Sequence, residues 1–89
     1  MQIVIIDNYD SFVYNIVRYI NDATSQKAGV MRNDKVDFAL LEKADAIVLS
    51  PGPGIPQEAG DLMKVIEQFH ATKPILGICL GHQAIGEYF

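Results

Sequence analysis

Eighty-nine residues, 49% of them hydrophobic and 20% charged, make one small globular domain at most and exclude a disordered chain. A net charge of −4 excludes the clustered Lys and Arg that a nucleic acid or an anionic membrane surface requires, so neither is expected as a partner. The lone cysteine can form no internal disulfide, which points to a reducing cytoplasm, and Asp7 ends the first apolar run too early for a leader or a membrane span.

In chain order, Gln2 to Ile6 is a β-branched run of the kind a strand buried on both faces needs. Phe12, Val13, Ile16, Val17 and Ile20 follow at helical spacing, with Asp10 or Ser11 placed to cap that helix. A weak second strand fits Ala28 to Arg32, and a short helical turn fits Phe38 to Glu42. Ala46 to Leu49 reads as a third strand, and Ala59 to Phe69 as an amphipathic helix with Leu62, Val65, Ile66 and Phe69 on one face. Pro74 to Ile78 is a fourth buried strand and His82 to Phe89 a last helix.

This alternation predicts an α/β fold: an open, mainly parallel sheet with helices on both faces. Right-handed crossovers bring every loop that follows a strand to the sheet's carboxyl edge, where ligands of such sheets bind. Three loops meet there: Asp7 to Ser11, Ser50 to Gly54, and the turn around Cys79. A strand order of 2-1-3-4 places the reversal of strand order beside the first two.

Gly77-Ile78-Cys79-Leu80-Gly81 sets the only cysteine between two glycines at a strand-to-helix junction. That is the cysteine form of a nucleophile elbow, a strained turn whose flanking glycines avoid a clash. A helix N-terminus also stabilises an anion, so the position suits nucleophilic chemistry. The competing reading is a small buried filler, the commonest use of a free cysteine. Pro51-Gly52-Pro53-Gly54 has two readings as well. A rigid turn accounts for it in isolation. Opposite a cysteine elbow it becomes an oxyanion hole, because the prolines lack N–H groups and leave Gly52 and Gly54 as donors, with the Leu80 N–H as a further one. Two His and one Cys do not cluster at ligand spacing, so no metal is expected, and no other cofactor.

Three blocks, Asp7 to Asn15, Leu49 to Gly60 and Pro74 to Gly86, together resemble the class I, triad-type glutamine amidotransferases. The first block is similar to that of the glutaminase subunits of anthranilate synthase and aminodeoxychorismate synthase. Val13 departs from it, standing where that branch commonly has threonine. The resemblance implies a flavodoxin-like half of a glutaminase domain, spanning residues 1–89 as its N-terminal portion. It implies that Cys79 attacks the side-chain amide of L-glutamine, forms a glutamyl thioester and releases ammonia to a chorismate-using synthase subunit. Gly52, Pro53, Gly54 and Leu80 would hold the glutamine and its oxyanion, and Gln83 would contact the substrate. Without the family, Gln83 is an ordinary solvated helix residue and Asp7 to Ser11 an ordinary capped loop.

The family's base is a histidine supported by a glutamate, and this chain has only His70 and His82. His70 ends the helix before the last strand, which puts it about 15 Å from Cys79 across four to five residues of strand rise. His82 is tied to the elbow helix with no third group to orient it. The expectation is a glutaminase portion inactive on its own, with an uncovered sheet edge that favours self-association. Two other readings differ in class: a non-catalytic module docking on the synthase subunit, and a cysteine-elbow hydrolase with another substrate, which the Pro-Gly-Pro-Gly block and Gln83 disfavour.

Overall fold

Four short apolar runs pair as parallel strands in a computed structural model that describes residues 2–89. The strands are β1 (Ile3–Asp7), β2 (Gly29–Arg32), β3 (Ala46–Leu49) and β4 (Ile75–Gly77). Their order is β2-β1-β3-β4. In register, Asp7 lies opposite Arg32, Ile6 opposite Leu49, and Leu49 opposite Gly77, so the three strand ends that carry the candidate site are level. The connections are helices, as parallel pairing demands: α1 (Val13–Thr24), α2 (Phe38–Leu41), α3 (Leu62–Phe69) and, after the last strand, α4 (Leu80–Tyr88).

Because strand side chains alternate, β1 and β3 build a core on each face of the sheet. Val4, Ile6, Ile47 and Leu49 pack on one face against Leu41 of α2, against Leu62, Val65, Ile66 and Phe69 of α3, and against Leu80 and Ala84 of α4. Ile5 and Val48 point the other way, to Val13 and the half-buried Ile16, Val17 and Ile20 of α1. The expected apolar face of α3 is thus fully buried, and helices cover both faces as expected.

Two boundaries differ from the expectation, each for a local reason. Neither Asp10 nor Ser11 is the residue that caps α1. Phe12 holds that place, and the Asp10 carboxylate instead accepts the Phe12 N–H at 2.9 Å, one turn early. The helix expected from Ala59 is split into a 3₁₀ turn (Pro56–Glu58) and α3. Gly60 between them takes φ 55°, and Asp61 donates its N–H to the Asn33 carbonyl at 2.7 Å, a long-range bond that breaks the helix.

Helix α1 covers only part of its face of the sheet. An apolar groove remains between α1 and β4, lined by Ile3, Tyr19, Ile20, Ala23 and Leu76. Leu76 is 61% exposed on the edge strand β4. Such an edge templates further pairing. The isolated 89-residue polypeptide is therefore expected to elute above monomer size at micromolar concentration, and Leu76→Lys to shift it toward the monomer; a sharp monomer peak for the unsubstituted polypeptide would refute this. Among the described residues, no helix is long and apolar enough to cross a membrane.

Candidate active site

Cys79 is the residue at which β4 turns into α4. Its backbone sits at φ 52° and ψ −107°, a region that costs a non-glycine residue of order 1–3 kcal/mol and persists only where the surroundings impose it. The surroundings do impose it. Ile78 donates its N–H to the Leu49 carbonyl at 2.9 Å, and Gly81 and Gln83 donate theirs to the Ile78 and Cys79 carbonyls at 3.0 and 2.9 Å. Helix α4 therefore starts directly after the cysteine, two residues earlier than its periodicity suggests. The glycines are there for space: a Cβ on Gly77 would lie 2.5 Å from the Gly81 carbonyl carbon, and one on Gly81 would run into the Leu49 carbonyl. The thiol itself is exposed, which removes the buried-filler reading.

The Pro-Gly-Pro-Gly loop leaves the end of β3 beside this turn. Gly52 is wedged between Asn8 and Leu80. A Cβ on it would stand 2.5 Å from the Asn8 carbonyl oxygen and 3.1 Å from the Leu80 side chain. Leu80 is the residue after the cysteine, so the loop comes close to the elbow at Gly52. Among the described residues, the N–H groups of Gly52, Gly54 and Leu80 make no hydrogen bond to the protein. Gly54 takes φ 75°, a value that suits only glycine in an exposed turn, and Pro53 beside it is exposed. Gln83 is exposed on the first turn of α4, on the same element as Cys79.

The two histidines lie at opposite ends of α4. His70 packs on Tyr88 and Phe89, with ring centroids 5.0 and 5.1 Å away, at the far end of α4. That end lies about 12 Å of helix rise from the elbow. His82 is exposed on the first turn, and no side-chain hydrogen bond among the described residues orients it.

Sequence pattern does not reveal the polar residues beneath the loops. Asn8, Asn33 and Ser50 are buried, with 2%, 5% and 0% of their surface exposed. Asn8 donates its backbone N–H to Ser50 Oγ at 2.9 Å and its Nδ2 to the Ser50 carbonyl at 2.7 Å, while its Oδ1 accepts Asn33 Nδ2 at 3.0 Å. The signal that could have found them is that both central strands end in a polar residue immediately after an apolar run, which puts Asp7–Asn8 level with Ser50.

At the outer rim, the Asp7 carboxylate accepts the N–H groups of Tyr9 and Asp10 at 2.8 and 3.3 Å. Tyr9 donates its hydroxyl to Asp34 at 2.6 Å, and the Arg32 guanidinium lies over its ring at 5.0 Å. The hydrogen bond to Asp34 holds the Tyr9 phenol above its ordinary value of 10.0. Since the folded value is the raised one, this bond's stabilisation is complete below the ordinary phenol value and is lost as pH rises through the folded value. A 295 nm titration is expected to show a late-ionising tyrosine that Asp34→Ala removes; an unchanged curve would disprove the assignment.

The class the structure defines is an open, parallel α/β sheet with a cysteine at a strained strand-to-helix turn on its carboxyl edge. Comparison makes that specific: residues 4–89 match the glutamine amidotransferase class-I family, and the chain belongs to it. Anthranilate synthase component 2 of Lactococcus lactis is 53% identical over 98% of this chain and 43% of its own length. The protein of the same name from Acetivibrio thermocellus is 49% identical over 96% of this chain and 94% of its own length. The chain thus spans less than half of the Lactococcus relative. A solved Thermoplasma acidophilum protein assigned as a GMP synthase subunit superposes with a TM-score of 0.81 at 27% identity, covering 100% of this chain and 45% of its own.

Proposed function

We propose that these residues form the nucleophile-bearing portion of a glutaminase that supplies ammonia to a chorismate-using synthase subunit making anthranilate or 4-amino-4-deoxychorismate. The observation that carries the reading is the strained, exposed Cys79 with Gly52 packed against Leu80. In this reading Cys79 Sγ attacks the amide carbon of glutamine, and the N–H groups of Leu80 and of Gly52 or Gly54 stabilise the developing oxyanion. The carbon–nitrogen bond breaks, the nitrogen leaves with an added proton as ammonia, and water hydrolyses the thioester to glutamate. Gln83 and Pro53 line the glutamine. Names of relatives support the anthranilate branch. In this reading His70, held by Tyr88 and Phe89 at the far end of α4, is not the base, and His82 has no side-chain partner among the described residues to orient it. The test mixes the intact protein with a chorismate-using synthase. Glutamine should then replace ammonium as nitrogen donor, and failure to do so at any glutamine concentration would reject the proposal. A docking module without catalysis would bind the synthase and leave it dependent on ammonium.

A further inference from the structure

We infer that Ser50 is a positioning residue that aims the Gly52 N–H at the oxyanion; the inference rests on the glutaminase reading of Cys79. Ser50 is wholly buried, and its hydroxyl is held between two backbone groups. It accepts the Asn8 backbone N–H at 2.9 Å and donates to the Pro51 carbonyl at 2.8 Å. That carbonyl belongs to the same peptide plane as the Gly52 N–H. No peptide bond among the described residues is cis, so in this planar unit the N–H points opposite to the carbonyl. Fixing the Pro51 oxygen therefore fixes the direction of the Gly52 hydrogen. Without the bond, the plane is free to rotate about the flanking torsions of Pro51 and Gly52, and glycine resists such rotation least.

The anchor is itself anchored. The Asn8 amide holds the Ser50 carbonyl at 2.7 Å, and Asn33 holds Asn8 at 3.0 Å. Gly52 passes so near the Asn8 backbone that a side chain there would clash with it. On the other side, Leu49 holds the elbow through the Ile78 N–H. Consecutive residues of one strand end, Leu49 and Ser50, thus fix the nucleophile's turn and the oxyanion donor's plane relative to each other. A preorganised donor of this kind costs no reorganisation during reaction, and losing one typically costs about 10² to 10³ in rate.

The test compares two alkylating agents on the intact protein. A glutamine-shaped chloromethyl ketone reacts through an oxyanion adduct before Cys79 Sγ displaces chloride; iodoacetamide needs no oxyanion. Ser50→Ala is expected to lower the saturated rate with the ketone by about 10²-fold while its half-saturation concentration and the iodoacetamide rate stay within about threefold. Ser50→Thr, which keeps the hydroxyl, should react faster than Ser50→Ala. A role in packing alone predicts the reverse order, and that order would overturn the inference. So would a Ser50→Ala ketone rate within about threefold of the unsubstituted protein. If Ser50→Ala loses its circular dichroism spectrum, Ser50→Cys takes its place, since a buried thiol is a poor donor to the Pro51 carbonyl, with the same loss expected and the same retention decisive. An unsubstituted protein showing no preference for the ketone would overturn the glutaminase reading, and this inference with it.

Discussion

Cys79→Ser is expected to lower glutamine-dependent ammonia release by the intact protein by about 10⁴-fold or more, the usual loss when one member of a nucleophile and base pair is removed. The substitution is nearly isosteric, and the side chain is exposed, so the fold should be unaffected. Thermal unfolding should agree within about 0.5 kcal/mol, because serine and cysteine carry the same backbone strain there and the side chain is exposed. The loss then reflects chemistry: a hydroxyl at this site ionises far less readily than a thiol and needs a stronger base. The same reasoning predicts the behaviour of the isolated polypeptide. His70 is held by Tyr88 and Phe89 at the far end of α4, and His82 has no orienting partner among the described residues, so ammonia release by these 89 residues alone should already lie at the Cys79→Ser background. An enzyme-coupled glutamate assay reads both. Turnover by the isolated polypeptide that His82→Ala abolishes would show that His82 is the base after all.

Much of the fold is legible in the sequence because its signals are local. Alternating strand and helix periods point to a parallel sheet, and Gly77 and Gly81 around a lone cysteine mark the elbow. What escapes depends on partners far along the chain. A polar residue after each apolar run is visible locally, but the bond of the Asn8 amide to the Ser50 carbonyl 42 residues later, and the Asn33 amide that completes the network, are not. The break before α3 likewise comes from the Asn33 carbonyl capturing Asp61, which no helical period encodes. Periodicity places the start of α4 too late because Leu80 and Gly81 pack by contact with β3 and the loop, and the helical pattern begins only after them. Local pattern specifies the elements; the polar bonds between loops, which aim the site, require the register of the strands.

Gly81→Ala is expected to destabilise the protein by about 3 kcal/mol or more, the upper part of the overpacking range. On helix propensity alone the change should help, since alanine is better than glycine inside a helix by roughly 0.5–1 kcal/mol. The added methyl, however, meets the Leu49 carbonyl oxygen and its Cβ. Leu49 cannot yield: it is wholly buried, paired with Ile6 and Gly77, and its carbonyl already accepts the Ile78 N–H at 2.9 Å. Helix α4 must move instead, which unseats Leu80 and Ala84 from the core and turns Cys79 away from Gly52. Gly86 on the same helix supplies the control, because a Cβ there meets nothing within 4 Å. Gly86→Ala should be neutral or stabilising by up to about 1 kcal/mol. Urea unfolding of the intact protein separates the two: opposite shifts in midpoint are expected, and a Gly81→Ala midpoint at or above the unsubstituted value would mean that the elbow is not held against β3. Because the movement displaces the nucleophile as well as the core, Gly81→Ala should also slow alkylation by the glutamine-shaped ketone under conditions where the variant remains folded, an effect that propensity and core stability alone would not produce.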